Sequence, residues 1–172
     1  MNLGDIIGMA AKNPQLVKTL AGQFGLGQDQ TQSAVSGLMG AMAGGVQRNV
    51  QQGGIESLLG ALQNGNHQQY VDQPEQLPQA TNEGNKVLGH LLGGKEQSRQ
   101  VATQVSQQTG VSTDILKQML PMIAMTAMGS MGKAQSQQGS STMTNMLTSM
   151  LDQDGDGSAI DDVLGMLMGG KR

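Results

Sequence analysis

Moving the chain 85 positions along itself (88 − 3 = 85) lays residues 3–44 on residues 88–129 without a gap. Leu3-Gly4-Asp5-Ile6-Ile7-Gly8 falls on Leu88-Gly89-His90-Leu91-Leu92-Gly93. Leu16, Val17 and Leu20 then fall on Val101, Ala102 and Val105, Gly25 on Gly110, Asp29 on Asp114, Leu38 on Ile123 and Gly44 on Gly129. Self-similarity at a fixed offset marks a duplicated structural unit, whose apolar faces are buried against one another. The expected organisation is a first repeat over residues 1–70, a linker over 71–84 and a second repeat over 85–172. The linker reading rests on Pro74, Pro78, three acidic residues and few apolar ones.

The periodicity within each unit is helical. Asn13-Pro14 supplies an N-cap and a proline at the first helical position, and Leu16, Val17, Leu20 and Phe24 follow at helical spacing. Gly25 and Gly110 stand where a C-cap glycine belongs. Asp29 or Thr31 starts the next helix, and Gly53-Gly54 break it. In the second unit Ser112 or Thr113 starts a helix that is apolar on nearly every side over 115–131, which predicts a central, buried element. Pro121 is expected to kink that helix or delay its start. A polar break is expected over 133–140, with further helices around Met143, Met146, Leu147 and Met150, and around Val163, Leu164, Leu167 and Met168. No segment alternates as a strand does, so the fold class is all-α.

The core of such a fold must be built almost without aromatics: the chain has 14 Met and 26 Gly but one Phe, one Tyr and no Trp. Methionine fills irregular gaps, and glycine lets helices approach closely. Glycines recur four residues apart at Gly4/Gly8, Gly40/Gly44, Gly89/Gly93 and Gly165/Gly169, a spacing that lines one helix face and predicts tight helix packing. Only 13% of residues are charged, so Gln, Ser, Thr, Asn and Gly must cover the surface, and such a surface favours association. The net charge is −3 and the basic residues form no extended run, which argues against nucleic acid as a partner. The apolar stretch 118–132 is shorter than the roughly 20 residues needed to cross a bilayer. No basic segment precedes a long apolar run at the N-terminus, so a cytoplasmic location is expected.

One motif carries specific chemistry. Asp152-Gln153-Asp154-Gly155-Asp156-Gly157-Ser158 places carboxylates at alternate positions before a glycine, as the first half of a calcium loop does. Ser158 would add its backbone carbonyl, and Asp161 or Asp162 would have to close the site, because Val163 stands where an EF-hand has its bidentate Glu. The same residues also suit a capped turn, with Ser158 and Asp161 as a capping pair. Met119, Met122, Met125, Met128 and Met131 recur every third residue, and thioethers suit Cu(I). Three residues advance a helix by about 300°, so those sulfurs spiral and are expected to pack the core instead. His67 and His90 each lack a second ligand nearby in sequence, and no nucleophile elbow, zinc-protease or Walker-type motif is present. With no cysteines, thiolate chemistry is absent too, and no enzymatic activity is expected.

The chain resembles a bacterial family catalogued as domain of unknown function 937, related to the YidB-like proteins. The resemblance rests on Asn82-Glu83-Gly84, Val87-Leu88-Gly89-His90-Leu91-Leu92-Gly93-Gly94-Lys95, Gln107-Gln108-Thr109-Gly110-Val111 and Leu116-Lys117-Gln118-Met119-Leu120-Pro121-Met122, and on the tail from Leu151 to Gly165. It implies a bacterial source and a helical fold, and carries no catalytic residues. The tail's fit to the family implies that Asp161 and Asp162 belong to the design of the acidic loop. Two functions are therefore expected: a protein-binding or self-associating module, or a calcium-binding protein whose loop orders its last helix.

Overall fold

A computed structural model describes residues 3–138. The helices are α1 (Leu3–Ala11), α2 (Pro14–Phe24), α3 (Gln28–Asn49), α4 (Ile55–Asn64), α5 (Gln69–Asp72), α6 (Thr81–Leu92), α7 (Lys95–Thr109) and α8 (Thr113–Gln138). A π-type turn (Val50–Gly54) joins α3 to α4, and a 3-10 segment (Pro74–Ala80) leads into α6. There is no strand among the described residues, so the all-helical class holds. The acidic loop and the helices expected around 143–150 and 163–168 lie outside the described residues.

The local signals act as their chemistry requires. Asn13 Oδ1 accepts hydrogen bonds from the backbone N–H of Gln15 and Leu16, and Pro14 opens α2. Gly25 (φ +64°) and Gly110 (φ +72°) end α2 and α7 in the left-handed region. Gly53 (φ +94°) turns the chain out of α3. Phe24 and Thr109 end their helices 85 positions apart (109 − 24), and Gln28 and Thr113 begin theirs 85 apart (113 − 28). The ends of α1 and α6, Ala11 and Leu92, differ by 81 instead (92 − 11).

Around Gly25 and Gly110 a Cβ would meet nothing within 4 Å. Alanine there is therefore opposed by backbone conformation alone. Gly25→Ala and Gly110→Ala should each cost about 1–2 kcal/mol, a value that thermal or urea unfolding reads directly. A loss at one site only would show that the two caps are not equivalent.

α8 is the central element and packs against α1, α3, α5, α6 and α7. Leu116, Met119, Leu120, Met122, Ile123, Ala124, Met125, Ala127, Met128 and Met131 are all buried in the core. Val35 and Leu38 of α3 are buried as well. So is Thr31, whose hydroxyl donates to the Gly27 carbonyl one turn back at 2.8 Å. That internal partner is what lets a polar group be buried without loss.

Several expectations are corrected. α8 starts at Thr113 and runs unbroken through Pro121, so the proline does not delay it. It also continues to Gln138, across much of the expected polar break, with Lys133 reaching Asp72 of α5. Residues 74–80 are part of the packed body: Pro74, Leu77 and Ala80 are buried, and α6 begins at Thr81 within the segment expected to be a linker. A count of apolar residues misses this, because three suffice when they share one face of a short turn.

The close helix approaches also fall elsewhere than the four-residue glycine pairs suggest. A Cβ on Gly84 would lie 2.4 Å from the Pro121 carbonyl oxygen, where α6 crosses α8. On Gly45 it would strike Leu92 at 2.3 Å, on Gly37 it would strike Val105 at 2.9 Å, and on Gly129 the His67 carbonyl oxygen at 2.3 Å. At Gly8, Gly40, Gly44 and Gly89 it would meet nothing within 4 Å.

Candidate functional site

The expected metal ligands, Asp152, Asp154, Asp156, Ser158, Asp161 and Asp162, lie outside the described residues. Among the described residues no three His, Cys, Asp or Glu side chains converge as a metal site would need. The five periodic methionines are core packing, all buried along α8.

The two histidines have different surroundings. His90 is exposed on α6, as its alignment with Asp5 suggests, and its Nδ1 lies 2.6 Å from Ser57 Oγ of α4. Asn49 Nδ2 donates to the His90 carbonyl at 2.7 Å, and the Asn49 side chain sits against Gly54 and Gly93. These contacts tie the ends of α3 and α4 to α6. His67 is 5% exposed, with Nδ1 3.4 Å from Glu83 Oε1 in a geometry that forms no hydrogen bond. The ring lies over Gly65, where a Cβ would come within 1.7 Å of Nε2. Glu83 also borders an open polar recess of about 560 Å³ lined by Tyr70, Gln76, Asn82 and Lys86. Sequence spacing could not pair His67 with Glu83, since they stand on different elements 16 positions apart (83 − 67).

Two grooves remain. The first, of about 440 Å³, runs between α1 and α3 and is lined by Gly8, Ala11, Lys12, Ser36, Met39, Gly40 and Ala43. Ser36, Met39, Gly40 and Ala43 recur at helical spacing, so α3 presents one stripe to it, small apart from the buried Met39. Met9, next to Gly8 in α1, is 61% exposed, the large hydrophobic that stands out among the described residues. The second groove, of about 560 Å³, lies between α6, α7 and α8. Leu88, Gly89 and Leu120 form its floor, and Lys95, Arg99 and Lys117 stand on its rim.

No helix among the described residues is long and apolar enough to cross a membrane. Over the described residues the fold and its grooves thus define a helical bundle with a glycine- and methionine-packed core. The model of a family described as bacterial protein of unknown function (DUF937) matches residues 9–134. The chain belongs to that family. No curated protein and no solved structure matches it.

Proposed function

We propose that this protein is a non-enzymatic binding module of the bacterial cytoplasm that associates with a second copy of itself through the groove between α1 and α3. One observation carries the reading. Gly8 and Gly40 line that groove from within helices, neither has a positive φ, and a Cβ on either would meet nothing within 4 Å. Each costs about 0.5–1 kcal/mol relative to alanine in a helix interior, and the isolated fold gains nothing in return. Glycines so placed are useful when another backbone must come close. The exposed Met9, next to Gly8 in the chain, would be buried in the same event.

The reading has a two-sided consequence. Gly8→Ala with Gly40→Ala should stabilise the monomer by about 1–2 kcal/mol in total, through helix propensity. The same pair should weaken association at least tenfold, which is about 1.4 kcal/mol or more. Melting at low concentration and light scattering across a wide concentration range measure the two effects separately. Higher stability with undiminished association would remove the groove from the interface.

The fold is read further as two copies of one helical unit sharing a core, supported by the common 85-position offset of the α2/α7 ends and the α3/α8 starts. The second functional reading is calcium binding at 152–162, supported by the alternating carboxylates of Asp152, Asp154 and Asp156. Calcium at about a hundredfold over its Kd would stabilise the chain by about 2.7 kcal/mol if it binds only the folded form. Melts with Ca²⁺, Mg²⁺ and chelator check this. Ca²⁺ should raise the midpoint more than Mg²⁺, and Asp154→Ala should abolish the rise. A midpoint equal in all three conditions would leave the motif a capped turn.

A further inference from the structure

We infer that the C-terminal segment 152–168 docks on its own chain, in the groove between α6, α7 and α8. The groove pairs an apolar floor (Leu88, Gly89, Leu120) with a cationic rim (Lys95, Arg99, Lys117). A matching occupant must carry acid beside an apolar stripe. Residues 152–162 hold five aspartates, and Val163, Leu164, Leu167 and Met168 follow at once, at helical spacing. The groove between α1 and α3 has one cation on its lining, Lys12, so charge selects the other face.

The rim is not locked by its own acids. Arg99 pairs with Glu96 at 2.7 Å and Lys117 with Asp114 at 3.6 Å, and in both pairs the side chains are largely solvent-exposed. Exposed pairs of this kind hold weakly, so exchanging their partners costs little. On the floor, Gly89 has no neighbour within 4 Å of a Cβ position, which leaves room for a backbone to approach.

The chain also reaches. From Lys117 to Gln138 is 21 positions of α8 (138 − 117), or about 32 Å at a helical rise of about 1.5 Å per residue. With the helix expected around 143–150 kept at about 1.5 Å per residue and the other nine residues extended at about 3.3 Å each, the 17 residues 139–155 span up to about 42 Å. The tail can therefore return along α8 and bring Asp156 to the rim.

The absence of native cysteines allows a direct test on the full chain. Gln100→Cys, exposed on α7, and Ser158→Cys would carry a pair of spin labels. Their separation is read by pulsed electron resonance, with chelator present and the labelled chain diluted in unlabelled chain. Dilution removes distances between copies, so failure here is distinct from failure of self-association. The expected result is one narrow distance population. It should broaden when Lys95→Glu, Arg99→Glu and Lys117→Glu are combined, and again at about 1 M salt, where screening acts over about 3 Å. Adding Asp152→Lys, Asp154→Lys and Asp156→Lys to the reversed rim should restore it. If the reversed rim does not fold, the three Asp→Lys changes alone carry the test and must broaden the distribution. A broad distribution in the unaltered chain, or a narrow one insensitive to charge reversal on the tail, would overturn the proposal.

Discussion

Gly84→Val is expected to lower stability by roughly 3 kcal/mol, the upper end of what overpacking typically costs. A Cβ at Gly84 would lie 2.4 Å from the Pro121 carbonyl oxygen and 2.9 Å from its Cβ. The obstacle is backbone of a buried helix, not the end of a flexible side chain, so α6 and α8 must move apart. That contact unites the two elements with the most extensive mutual packing in the molecule. For a chain of this size the change should lower the melting temperature by roughly 6–12 °C. Gly22→Ala is the control: Gly22 is exposed in α2 and its Cβ would meet nothing, so the same kind of substitution should be neutral or stabilising. Equal effects at the two glycines would mean that α6 and α8 do not cross at Gly84.

Leu116→Ala is expected to cost about 2–5 kcal/mol, the range for deleting a fully buried leucine that leaves a cavity. Leu116 is fully buried on α8, within a core almost free of aromatic rings. Buried methionines of α8 itself, with Met39 and Met42 of α3, share that core and adapt to gaps, which favours the lower half of the range. Urea unfolding reads the loss as a shifted midpoint at unchanged slope. A cost under about half a kcal/mol would make α8 peripheral, against its place at the centre of the fold.

What the sequence discloses follows physical range. Asn13, Pro14, Gly25 and Gly110 act through hydrogen bonds and backbone angles a few residues wide, so their roles are readable from neighbours alone. The apolar run around α8 is legible for the same reason: a helix buried on all sides needs no partner to be identified. The crossing glycines are different. Gly40/Gly44 has the spacing of a packing pair and stands open, while Gly84 and Gly129 make the close approaches. Only tertiary geometry decides which glycine meets a backbone. The His67–Glu83 contact and the burial of Pro74, Leu77 and Ala80 depend on the fold in the same way. The grooves are hidden from sequence too, since each is made by residues from separate helices that share no pattern.

Sedimentation equilibrium on the unaltered chain and on Met9→Glu tests the central claim most directly. The unaltered chain should show a reversible monomer–dimer equilibrium. Met9→Glu sets an exposed carboxylate next in the chain to Gly8, which lines the groove between α1 and α3, where a second copy would have to desolvate it. The variant should keep its helix content and dimerise at least tenfold more weakly, about 1.4 kcal/mol or more. A chain that stays monomeric at every concentration, or a variant that dimerises as well as its parent, would contradict self-association through this face.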